Sequence, residues 1–275
     1  MKDMTIITKI TTQQKNQDRF NVFMDYGKGK GEEFAFSVDS DVLIKFKLKK
    51  GMELDDFSFL EIQFQDDIRK AYSLAINYLA RRMRSEKEIV DYLVQKEVDE
   101  PIIKEVIHKL TSQHYINDQE YAVAYVRTQA NTTDKGPNVI KKDLKEKGVA
   151  EGILIQALEE FPLEQQMEKA IKISEKFYQK NAKVSLKVQQ QKLEQLLLRK
   201  GYSYEVINFA LNETEVPKQG EDEEMEAVRF QGEKVHRKYS HLEGFEYQQK
   251  IKQALYRKGF TMDLIERFIA EKDEK

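Results

Sequence analysis

Four stretches of this chain repeat one pattern of apolar and polar positions. Around an anchor residue, apolar side chains stand eight and four places before it, a lysine directly precedes it and a large apolar residue follows. Apolar pairs then come five and six, and nine and ten, places after it. Anchored on Gly201, the slots hold Leu193, Leu197, Lys200, Tyr202, Val206, Ile207, Ala210 and Leu211. Anchored on Gly259, they hold Ile251, Leu255, Lys258, Phe260, Leu264, Ile265, Phe268 and Ile269. Gly148 anchors Ile140, Leu144, Lys147, Val149, Ile153, Leu154, Ala157 and Leu158. The remaining stretch has Glu97 at the anchor, with Ile89, Leu93, Lys96, Val98, Ile102, Ile103, Val106 and Ile107 in the slots. The anchors lie 51, 53 and 58 residues apart, which is room for three helices in each repeat.

The slots predict helix, tight turn, helix. Apolar residues four apart mark one stripe of a helix. Glycine suits the left-handed position that ends a helix, where a side chain would crowd the backbone. The lysine beside it matches the negative end of the helix dipole. Two places after the anchor stand Asp99, Ala150, Ser203 and Thr261, three of which are able to cap the next helix. A further helix precedes each pair. In the first repeat it carries Ala71, Leu74, Ala75, Tyr78 and Leu79, and Ser85 with Glu88 has capping-box spacing after it. Asn117 and Glu120 form a weaker version of that box ahead of Ala122, Tyr125 and Val126, and Gly136-Pro137 opens the following helix. Met167, Ala170, Ile171 and Phe177 mark the leading helix of the third repeat, and Val228, Val235 and Tyr239 that of the fourth. A single such repeat buries little apolar surface; stacked neighbours bury more.

The first sixty residues follow a different period. Phe20, Val22, Met24 and Tyr26 alternate with polar residues, as do Phe34, Phe36 and Val38, which predicts half-buried strands. "GKGKG" (Gly27 to Gly31) between them lacks the ending of a phosphate loop and reads as a hairpin turn. "DVLIKFKLKKG" is open between strand and helix, and from Asp55 or Asp56 onward Phe57, Leu60, Phe64 and Ile68 have helical spacing. "NETEVPKQGEDEEMEA" reads as a linker whose acidic run starts the first helix of the fourth repeat. The predicted fold is mainly α: tandem three-helix repeats in an elongated array, after a small β-rich N-terminal unit. The expected boundaries are 1–62 for the β-rich extension, then 63–113, 114–161, 162–214 and 215–275 for the four repeats.

Composition narrows the chemistry. Charged residues make up 34% of the 275 and hydrophobic residues 40%, with a formal net charge of −2, so no global basic field advertises nucleic acid. The absence of cysteine removes disulfides and thiolate metal sites and fits a reducing compartment. No apolar run approaches the roughly 18 residues of a membrane span, and the N-terminus lacks the apolar core of a signal peptide. The expectation is a soluble, monomeric cytoplasmic protein with no catalytic residues, no metal and no cofactor. The four histidines, His108, His114, His236 and His241, lack the i,i+4 spacing of a helical ligand pair.

Positive charge is clustered, however. Lys169, Lys172, Lys176, Lys180, Lys183 and Lys187 are spaced to share one face of a helix, and residues 165–200 hold nine Lys or Arg against three Glu. Lys141 and Lys145 share a face in the second repeat, and Arg81, Arg82 and Arg84 cluster where the leading helix of the first repeat ends. Such clusters serve as solvated helix faces or dipole partners; alternatively they meet phosphates or an acidic protein groove.

"LARRMRSEKEIVDYLVQK" and "YINDQEYAVAYVRTQANTTDKGPNVIKKDLKEKGV" resemble the two opening signatures of the RecX family, closely from Ala71 to about Phe161 and more loosely in the later repeats. Glu97 departs from the family's glycine. The resemblance implies that the three-helix repeats form a curved, elongated array, and that the chain is a non-enzymatic regulator of the RecA recombinase. Such proteins lie in the groove of the RecA filament on single-stranded DNA and restrain its growth, ATP hydrolysis, strand exchange and coprotease activity, which places the chain in DNA repair, recombination and SOS control. The partners implied are the RecA filament and single-stranded DNA, with weaker contact to duplex DNA. The candidate contacts are then Arg81, Arg82, Arg84, Lys141, Lys145, Lys169, Lys172, Lys176, Lys180, Lys183 and Lys187. Two other readings stand beside it: a stand-alone DNA-binding protein, disfavoured because Gln189–Gln191 precedes an apolar helix segment rather than a base-reading face, and a helical-repeat scaffold for an unrelated partner.

Overall fold

The computed structural model describes residues 5–27, 31–214 and 221–273. The chain divides into two compact units, Met1–Tyr121 with Lys147–Val149, and Ala122–Glu146 with Ala150–Lys275.

The first unit begins with an antiparallel sheet of β1 (Thr5–Thr12), β2 (Arg19–Asp25), β3 (Glu32–Asp39) and β4 (Glu53–Leu54), ordered β3-β2-β1-β4. β2 and β3 are the strands that alternation predicts. β1 escapes that test because the ladder shifts between Ile7 and Lys9, which breaks the two-residue period. The turn expected across "GKGKG" falls largely outside the described residues. The ambiguous stretch starts as a short helix, α1 (Ser40–Lys45), capped by the Asp39 carboxylate.

α2 (Asp56–Leu79) follows, with Asp55 accepting from the Ser58 N–H at 2.8 Å as its N-cap. This one helix serves two cores. Ile62 packs with Ile7, Val22, Met24 and Phe36 beneath the sheet. Ile68, Ala71 and Ala75 pack with Ile89, Leu93, Val106 and Leu110 of α3 (Glu86–Gln95) and α4 (Glu100–Ser112). The boundary expected at 62/63 therefore falls inside a helix. The buried Asp66, between the two halves, pairs with Arg19 at 2.8 Å and accepts from the Asp39 N–H at 2.8 Å. Burial pushes its carboxyl up, but the hydrogen bonds from Arg19, Asp39 and Lys70 outweigh this and hold it below the usual carboxylate range. Phe57 and Leu60, expected on an apolar stripe, stand exposed on α2 instead.

The remaining helices are α5 (Asp118–Thr132), α6 (Pro137–Glu146), α7 (Glu151–Leu158), α8 (Leu163–Asn181), α9 (Leu186–Lys200), α10 (Tyr204–Glu213), α11 (Glu221–Tyr239), α12 (Gly244–Arg257) and α13 (Met262–Asp273). The repeat register holds: Ile89, Leu93, Ile140, Leu144, Leu193, Leu197, Ile251 and Leu255 all have 0% exposure. Ser85 and Glu88 form the capping box, and Asn117 accepts from the Gln119 and Glu120 N–H groups. Ser203 caps α10, whereas Asp99 occupies the cap of α4 without a side-chain bond. On α8, Ile173 and Tyr178 are buried beside Ala170, and the expected Ile171 and Phe177 are half-buried.

The anchors are left-handed in all four repeats: φ is 81° at Gly148, 91° at Gly201, 86° at Gly259 and 59° at Glu97. A second demand explains the glycines. Each glycine turn rests on the start of the middle helix of the repeat before it. Ser85 Oγ donates to the Lys147 carbonyl at 2.7 Å, and Ser185 Oγ donates to the Lys258 carbonyl at 2.6 Å. At the middle joint the Gly136 N–H donates to the Lys200 carbonyl at 2.7 Å and the Asn138 N–H to the Gly201 carbonyl at 3.1 Å. A Cβ on Gly201 would lie 2.6 Å from the Val139 nitrogen. The first repeat has no earlier repeat to rest on, so a side chain at Glu97 meets no such wall, and the residue is exposed.

Candidate interaction surface

The lysine stripe predicted on a single helix is divided. α8 ends at Asn181 and α9 begins at Leu186, so Lys183 lies in the turn and Lys187 on the next helix. The lysines keep their three- and four-residue spacing across the turn, which masked the break. Lys169 also leaves the stripe. It neighbours the buried Ala170, and its amine donates to the carbonyls of Ala130 and Thr133 at the end of α5. There it meets the negative end of that helix. Burial lowers the Lys169 pKa, against the opposing charge of Asp134. Lys183 lies over the Phe230 ring, 4.5 Å from its centroid. Lys172, Lys176 and Lys180 remain: one turn apart on α8, exposed, and without an ion pair among the described residues.

The other basic candidates have partners within the chain. Lys141 and Lys145 both reach Glu151, at 2.8 and 2.7 Å. Arg82 pairs with Glu88 at 2.7 Å. The Arg84 guanidinium stacks 3.9 Å from the Tyr78 ring centroid, and Tyr78 in turn stacks on Tyr92 at 4.0 Å with 7° between planes. Arg81 is exposed with no ion pair among the described residues. The Glu151 pairs lie at an exposed surface, so Lys141 and Lys145 exchange that carboxylate for a phosphate at little cost, whereas Arg82 is tied to the half-buried Glu88. The acids that neutralise these clusters, Glu88 and Glu151, were legible as first-turn residues, but their cross-helix partners were not.

Glu88 is a hub. It accepts from Arg82, from the Ser85 N–H at 3.2 Å and from Lys147 at 3.4 Å. Burial pushes its carboxyl up, but these bonds and charges prevail and hold it at about 2. Among the described residues no cluster of His, Asp or Glu has metal-binding geometry, and no helix is long and apolar enough to cross a membrane.

Comparison with known proteins covers nearly the whole chain. Residues 5–55 match the model "Regulatory protein RecX N-terminal domain". Residues 71–110 match "RecX, first three-helix domain", 117–158 the second, and both 164–211 and 221–269 the third. Regulatory protein RecX of Bacillus subtilis (strain 168) is 45% identical over 270 residues, covering 98% of this chain and 100% of the relative. The Bacillus cytotoxicus protein of the same name is 46% identical over 275 residues, covering 99% and 100%. A crystal structure of regulatory protein RecX aligns with a TM-score of 0.67 at 35% identity, covering 76% of this chain and 100% of that one. The structure of RecX from Lactobacillus salivarius aligns with a TM-score of 0.53 at 40% identity, covering 55% and 99%.

Proposed function

The chain belongs to the RecX family, and from that premise we propose that it is a non-enzymatic regulator of the RecA recombinase that binds the RecA–single-stranded DNA filament in its groove and restrains it. The observation that carries this reading is the near-full-length likeness to proteins named regulatory protein RecX, with four helical repeats in series. Similar modules in one chain suit a helical polymer, because each weak contact raises the effective concentration of the next. The exposed lysines Lys172, Lys176 and Lys180, with Arg81 and Lys187, supply salt-dependent attraction to phosphates or to an acidic groove. Arg82, Arg84, Lys141, Lys145, Lys169 and Lys183 are secondary contacts, since each already has a partner in the chain. The reading places the protein in the cytoplasm, as a monomer.

The test is single-stranded-DNA-dependent ATP hydrolysis by the cognate RecA, titrated with the chain. Inhibition well below one molecule per RecA protomer supports a filament modulator. No inhibition in excess, with circular dichroism showing a folded protein, returns the chain to the role of a scaffold for another partner.

A further inference from the structure

The four repeats are copies, so a slot that differs in one of them shows what that repeat does differently. Seven and three places before the anchor, the first repeat carries Val90 and Val94. The same slots hold Lys141 and Lys145 in the second repeat, Glu194 and Leu198 in the third, and Lys252 and Tyr256 in the fourth. In the second repeat both lysines cross from α6 to Glu151 on α7, at 2.8 and 2.7 Å, and close the groove between those helices with charge. In the fourth, Lys252 crosses from α12 to Glu266 on α13 at 2.7 Å. In the first repeat Glu100 occupies the place of Glu151, but it pairs along its own helix with Lys104, at 2.6 Å. The groove between α3 and α4 therefore stays open. It encloses about 770 Å³ over a floor of Val90, Val94, Val98, Ile103 and Ile107, and Val94 is 58% exposed.

The rim states the complementary charge. Glu86 stands at one end of the groove, where α3 begins, and Asp99 at the other, just past the turn; of the basic groups in the lining, Lys104 is taken by Glu100 and His108 stands on α4. Neither carboxylate has an ion pair among the described residues, and Asp99 makes no capping bond. A helical rise of about 1.5 Å per residue puts these ends roughly 15 Å apart, three turns of a partner helix. We propose that this groove docks an amphipathic helix of a partner protein, one with aliphatic side chains a turn apart and a lysine or arginine at either end of them. A long apolar trough between two helices is the shape that receives such a helix, and its anchors are read at i and i+4. A second copy of this chain fits less well, because twofold pairing of the grooves would set the acidic rims against each other.

The test uses the full chain and a fluorescein-labelled alanine-based peptide of about eighteen residues, long enough to form a helix. It carries two leucines four residues apart between lysines three turns apart. Anisotropy should report saturable binding that weakens at least about tenfold when glutamates replace the lysines, and that falls with added salt. The V90K/V94K variant should lose at least about tenfold while keeping its circular dichroism, since the second repeat folds with those same lysines opposite the same acid. V94S is the milder variant should the double change unfold the repeat, and it should also weaken binding. Lack of binding, binding untouched by V90K/V94K, or equal binding of the glutamate peptide would overturn the proposal. So would concentration-dependent self-association that V90K/V94K abolishes, which would assign the groove to a second copy. RecA is absent from this assay, so its failure leaves the proposed function standing.

Discussion

The Ser85 hydroxyl donates to the Lys147 carbonyl at 2.7 Å across 62 residues of sequence, and the same oxygen accepts from the Glu88 N–H at 3.2 Å. One side chain thus caps the helix of one repeat and satisfies the turn of the next. Ser85→Ala removes both bonds and leaves a helix N–H and a carbonyl without their partner. The expected loss is about 1–2 kcal/mol in urea unfolding. A loss below about 0.5 kcal/mol would show that the joint is held by packing alone.

Gly201→Ala and Glu97→Gly should move stability in opposite directions. At Gly201 a Cβ meets the Val139 backbone at 2.6 Å as well as a φ of 91°, so alanine should cost more than the roughly 1–2 kcal/mol of the left-handed conformation alone. Glu97 already bears that conformation with no wall beside it, so glycine should raise stability by up to about 1 kcal/mol. Thermal unfolding of the two variants checks both signs.

Leu197→Ala should cost about 2–5 kcal/mol, because Leu197 is fully buried beneath α9. An effect under about 0.5 kcal/mol would mean that the repeat register is wrong.

Charge reversal at Lys172, Lys176 and Lys180 should leave circular dichroism unchanged and weaken inhibition of the RecA filament. Lys169→Glu belongs in a separate sample. Its amine bonds two carbonyls at the end of α5, so reversal there should lower the melting temperature by itself. Unchanged inhibition by the triple variant would make the remaining stripe a solvated face.

Glu88 should impose a pH dependence. Its carboxyl is held at about 2 in the fold against an ordinary 4.5, so its stabilisation is full above about 4.5 and is lost as pH falls toward 2. Glu88→Gln should therefore lower the melting temperature most near pH 5 to 6, with the gap to the parent protein closing as pH approaches 2. A gap independent of pH would mean that the carboxylate is not the acting group.

Much of this fold is written in local spacing. The slots at Leu193 and Leu197, the capping box at Ser85 and Glu88, and the left-handed anchors depend on residues within a few places of each other, so four helix–turn–helix repeats and the strands Arg19–Asp25 and Glu32–Asp39 are readable from the order of residues alone. What those elements meet depends on contacts between residues far apart in the chain. That α2 serves two cores, that Lys169 turns toward Ala130, and that Lys141 and Lys145 are held by Glu151 while Val90 and Val94 stay open all depend on how helices face one another. A run of lysines has the same spacing whether it lines one helix or passes across a turn. Charge in a sequence has a position but no neighbour until the chain folds back on itself.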